Sequence, residues 1–133
     1  MESHDEERLM FKNLTYGNSS GSYSIKNFNV ALNRMKLAGA FFFTVPGPKM
    51  IWQFGELGYD VSIDFNGRVG EKPVRWNYLG DDRRTNLYKV YAALTKLKTD
   101  YEAFSTTNFT LDVLSLIHIY LQVLYGLMQH LNF

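Results

Sequence analysis

Met50-Ile51-Trp52-Gln53-Phe54 is a short apolar run bounded by Gly55 and preceded by the breaker Pro46-Gly47-Pro48, the pattern of a strand buried on both faces. The reading of this run decides the fold, because helical periodicity lies on either side of it. Upstream, Ile25, Phe28, Leu32, Met35, Gly39 and Phe42 recur at steps of three and four, which predicts an amphipathic helix from Ser24 as N-cap to about Phe43. Downstream, a second helix is expected from Asp81 or Asp82 as N-cap, through Leu87, Val90, Tyr91, Leu94, Leu97, Tyr101 and Phe104. Residues 56–80 follow neither period and are rich in glycine and aromatic residues, so they read as a long loop, and long loops inside compact domains are usually functional. Asn108–Val113 alternates polar and apolar, as a half-buried strand does. Helix, strand, long loop and helix make a piece of an alternating α/β fold, but one strand offers no sheet to close on. The chain is therefore expected to be part of something larger.

With 133 residues there is room for one ordinary domain and one core. Fourteen Lys and Arg against thirteen Asp and Glu leave a net charge of +1, which disfavours electrostatic binding of nucleic acid or an anionic membrane. The absence of cysteine excludes a disulfide framework, a thiolate metal site and a cysteine nucleophile. Aromatic residues reach 16%, which suits either a dense core or stacking surfaces for flat ligands such as sugars. Trp52, Trp76, Tyr59 and Tyr78 are the candidates for such stacking, with core and loop-anchor roles the expectation.

The ends read differently from the body. Glu2–Arg8 has no apolar segment and no small-residue cleavage site, so it is not a secretory signal. Residues 13–24 gather Gly17, Asn18, Ser19, Ser20, Gly21 and Ser22 and are expected to form a surface loop. Residues 114–133 are mostly apolar and near the length of a membrane span. Leu114-Ser115-Leu116-Ile117-His118-Ile119, however, is the translation of CTGTCTCTTATACACATC, which resembles a transposon end used in preparing sequencing libraries. The expectation is an adapter-derived, non-native tail over 114–133 and no membrane partner.

Ser3-His4-Asp5-Glu6-Glu7-Arg8 sets an imidazole beside a carboxylate with a guanidinium three residues on, so on a tight loop all three can converge on one polyol. About forty residues later come Pro46-Gly47 and then Gly55-Glu56-Leu57-Gly58. Together these motifs resemble the α-amylase superfamily of glycoside hydrolases, over Glu2 to about Val113. The resemblance implies the C-terminal portion of a (β/α)8 TIM barrel, from about the strand 7 loop to helix 8, over residues 1–104. It implies the start of an all-β C-terminal domain over 105–113. It makes Asp5 the catalytic carboxylate that stabilises an oxocarbenium-like transition state, and His4 and Arg8 contacts to the same sugar. Glu56 becomes the acidic residue that braces the loop ending strand eight.

A retaining glycosidase also needs a carboxylate nucleophile and a carboxylic acid about 5–5.5 Å apart. Neither stands at a matching position here, and the resemblance puts both upstream of residue 1, so the chain alone is expected to be inactive. The implied substrate is an α-glucan or maltooligosaccharide, and the implied location is secreted or periplasmic. No cofactor is expected in these residues, with Ca2+ a candidate in the complete enzyme. Pro46-Gly47-x-Lys49 and Ser3-His4-Asp5-Glu6 are also similar to the branching-enzyme side of the superfamily, which gives α-glucan transglycosylation as the alternative. A second alternative is a non-catalytic interaction module whose helices pack on a partner.

Overall fold

The computed structural model describes residues 2–111. Helix α1 spans Leu9–Tyr16 and stops at Gly17, where a Cβ would sit 2.3 Å from Asn13 O. Arg8 at its N-cap offers no side-chain bond; the carboxylate of Glu2 reaches over seven residues instead and accepts from Leu9 N at 3.2 Å. Ser19–Ser20 (β1) and Tyr23–Ser24 (β2) then pair antiparallel around Gly21, whose left-handed φ of +57° is the conformation that favours glycine in a tight turn. Helix α2 runs Phe28–Thr44, with Asn27 Oδ1 accepting from Asn29 N and Val30 N. Helix α3 runs Asp82–Asp100 with Asp81 as N-cap. Short 3-10 turns lie at Gly55–Leu57, Trp76–Gly80 and Glu102–Phe104.

Both long helices bury the stripe that their periodicity demands. Ala31, Leu32, Met35, Gly39 and Phe43 of α2 face Leu87 and Tyr91 of α3, with Met10 of α1 completing the core. The pair runs parallel. At their N-terminal ends the Phe28 ring lies 4.4 Å from the Arg83 guanidinium; at their C-terminal ends Lys98 Nζ donates to Val45 O at 3.0 Å. Parallel neighbours require a return segment as long as the helices, and residues 45–81 supply it. This segment has its own aromatic core of Phe54, Leu57, Tyr59 and Tyr78.

The return segment overturns the expected α/β architecture. Met50–Phe54 forms no strand: Met50 and Ile51 are exposed, Gly55 N bonds back to Trp52 O, and Phe54 takes a left-handed φ of 55°. A strand buried on both faces needs neighbours to accept and donate its backbone hydrogen bonds. Among the described residues the one sheet is the β1–β2 hairpin, so the apolar run satisfies its backbone by turning. The C-terminal portion of a (β/α)8 TIM barrel is accordingly replaced by a mainly helical arrangement with a two-stranded antiparallel sheet. The expected all-β beginning is absent over residues 105–111, where Asn108–Leu111 is exposed and unpaired in any ladder. Residues 112 and 113, and the tail reading over 114–133, lie outside the described residues. Of the stretch 13–24 that reads as a surface loop, residues up to Tyr16 belong to helix α1 and 19–24 form the β1–β2 hairpin, and the N-cap of α2 is Asn27 rather than Ser24.

Candidate functional site

The Ser3–Arg8 loop is sorted by residue into an inner and an outer side. Arg8 is buried, and its guanidinium closes the loop on itself by donating to Ser3 O at 2.6 Å and Glu6 O at 3.2 Å. It also lies 5.6 Å from the centre of the Trp52 ring. Glu2 is buried behind it as the cap of α1. Burial raises the Glu2 pKa, against the opposing pull of the Leu9 N–H bond and the Arg8 charge. Glu7 accepts from Arg8 N at 2.8 Å and Ile63 N at 2.9 Å with one oxygen, and from Ser62 Oγ at 2.7 Å with the other. Burial alone would raise the Glu7 pKa, but these three bonds and the Arg8 charge outweigh it and lower the value.

His4 and Asp5 face outward from this braced loop. Their side chains are 67% and 73% exposed, and His4 Nε2 lies 2.9 Å from Asp5 Oδ2. The Trp52 ring stands 6.0 Å from the imidazole. The Asp5 carboxylate, with one oxygen on His4, is exposed, while its main-chain carbonyl accepts from Arg68 Nη2 on the return segment. The structure brings His4, Asp5 and Trp52 together at the surface. Arg8, expected against the sugar, instead points to the backbone carbonyls beneath them.

Glu56 occupies a different place. It sits half-buried on the Gly55–Leu57 turn, beside an open groove of about 470 Å³ lined by Ile51, Tyr88, Tyr91, Thr95 and Lys96. Burial, then the Glu2 and Glu56 charges, hold the Tyr91 phenol well above its ordinary pKa.

A buried polar cluster that sequence reasoning missed fixes the return segment to α3. Arg84, 7% exposed, donates to Asp60 Oδ2 at 2.7 Å and to Leu57 O at 2.9 Å, and also bonds Gly58 O. Its guanidinium lies 3.7 Å from the Tyr78 ring centre, while the Tyr78 hydroxyl donates to Asp60 Oδ1. Burial first, and the Asp60 hydrogen bond and charge next, push the Tyr78 pKa up to about 12. Partners 24 residues apart follow no spacing rule, so the sequence carries no signal for this pair. Among the aromatic candidates, Tyr59 is fully buried and donates to Pro73 O at 2.6 Å, whereas Trp76 is exposed with its ring edge-on to Phe54 at 4.9 Å.

Among the described residues no three His, Cys, Asp or Glu side chains cluster. No helix among them is long and apolar enough to cross a membrane. No protein-family model matches the chain, and no curated protein matches it.

Proposed function

We propose that the Ser3–Arg8 loop binds the reacting sugar of an α-glucan and supplies the stabilising carboxylate of a retaining glycoside hydrolase. The observation that carries this reading is the exposed His4–Asp5 pair at 2.9 Å on a loop locked from behind by Arg8, Glu2 and Glu7. A carboxylate acceptor beside an imidazole suits two neighbouring hydroxyls, and the backing network holds both without reorganisation. As positive charge develops at the anomeric carbon, the Asp5 carboxylate stabilises it, and His4 donates to a hydroxyl of the same ring. Arg8 acts here by fixing the loop. The reaction also needs a carboxylate nucleophile and a carboxylic general acid, roles that this reading assigns to neither Asp5 nor Glu56.

The test is titration of the chain with maltoheptaose, observed by NMR at the His4 ring. Saturable shifts with a Kd of about 1 mM, roughly −4 kcal/mol, are expected for one short-range polar subsite. Asp5→Asn should weaken binding several-fold. Absence of any shift at saturating oligosaccharide refutes the reading.

A further inference from the structure

Residues 64–69 are all exposed, with Val69 wholly so, and no apolar burial orders them. They nevertheless fold as a series of turns: Phe65 N bonds Ser62 O, Gly67 N bonds Asp64 O, and Gly70 N bonds Gly67 O. Left-handed φ values at Asn66 (56°) and Gly67 (77°) curl the backbone so that its carbonyls converge. At their focus is Lys72 Nζ, 2.7 Å from Gly67 O and Gly70 O, 2.9 Å from Phe65 O and 3.4 Å from Arg68 O. Four converging carbonyl dipoles concentrate negative potential at their focus, and a cation among them offsets it. A compact ammonium with three donors suits that position better than a planar guanidinium would.

This cage is linked to the Ser3–Arg8 loop at two points. Arg68, within the caged stretch, donates to the main-chain carbonyl of Asp5. Ser62 and Ile63, at its stem, hold Glu7. We propose that Lys72 is an internal structural cation and a positioning residue for Asp5: its ammonium closes the 65–70 turns, and these present Arg68 to the Asp5 backbone. The inference rests on Asp5 being the sugar-binding carboxylate, as proposed above, and names the device that fixes its place.

The experiment uses the full 133-residue chain. Lys72→Met keeps the stem length and removes the charge. Amide hydrogen exchange, read by mass spectrometry, should rise at least about tenfold over both 62–71 and 3–8, with α3 unchanged. Maltoheptaose affinity should fall several-fold. Opening of 62–71 with 3–8 unchanged overturns the proposal, as does no change in either. Faster exchange in 3–8 with no oligosaccharide binding by the unaltered chain upholds the coupling and refutes the sugar reading alone. Should Lys72→Met fail to fold, Arg68→Met carries the same test, since it cuts the link to Asp5 and spares both the cage and the Glu7 contacts. It should raise exchange over 3–8 only, and unchanged exchange there overturns the proposal.

Discussion

Gly39 of α2 and Tyr91 of α3 approach so closely that a Cβ on the glycine would lie 2.6 Å from Tyr91 Cε1. The tyrosine cannot retreat easily, because its hydroxyl donates to Met35 O at 3.2 Å and its ring stands edge-on to Phe43 at 5.4 Å.

Gly39→Ala should therefore destabilise the chain, although alanine is the better helix former by about 1 kcal/mol. Overpacking of a tight core costs roughly 1–3 kcal/mol, and the clash should leave a net loss. Thermal unfolding should show a midpoint lower by a few degrees; an unchanged or higher midpoint would mean that α3 slides freely past Gly39.

Arg84→Met should be among the most damaging single changes. It leaves Asp60 partly buried beside Tyr78 without its cation, and one-sided removal from a buried pair costs about 3 kcal/mol or more. Adding Asp60→Asn should recover part of that loss, because the stranded charge is then gone. Urea midpoints of the two single variants and the double variant measure the coupling.

Stability should fall as pH rises from 10 towards 12. The Tyr78 phenol is held up to about 12 against an ordinary value of 10, so the folded state keeps a proton that the unfolded state has already lost. Its contribution is whole below pH 10 and disappears as pH rises through 12. At the acid end Asp81, held down to about 2 chiefly by the hydrogen bond from Arg83, works with the opposite sign. Its contribution is whole above pH 3.8 and is lost as pH falls towards 2. Denaturant midpoints across both ranges, repeated on Tyr78→Phe, check the assignment: the alkaline slope should flatten in that variant.

If Asp5 is the stabilising carboxylate proposed above, Asp5→Asn should lower kcat for α-glucan cleavage by at least about 10²-fold with the fold intact, since it removes charge aimed at a developing cation. His4→Ala should act more gently, raising KM or trimming kcat, because it removes one hydroxyl contact and no full charge. Near-normal turnover in Asp5→Asn would make Asp5 a surface residue only.

Where structure follows from neighbours in sequence, the chain is legible. The apolar spacing of Leu32, Met35 and Gly39 and the cap at Asp81 place α2 and α3 within a few residues. What escapes is decided at a distance. Helix α1 has no local cap, and Glu2 supplies it from seven residues away. Met50–Phe54 has the composition of a strand, but a strand is defined by its neighbours, and among the described residues these five have none. In the candidate site, His4 and Asp5 stand out as residue types, whereas the inward turn of Arg8 depends on the carbonyls of Ser3 and Glu6, which no motif encodes.

Because α2 and α3 point the same way, their peptide dipoles add instead of cancelling. Each helix places roughly half a positive elementary charge at its start and half a negative one at its end, and here like poles lie side by side. The charges around the pair answer this. At the positive pole of α3 stand Asp81 and Asp82, the former paired with Arg83, and at the other end Lys98 reaches from α3 to Val45 O at the end of α2 and to Phe104 O, both at 3.0 Å. The helix pair is thus polarised along its length, and Lys98, on the last turn of α3, places its positive charge against the carbonyl that ends α2.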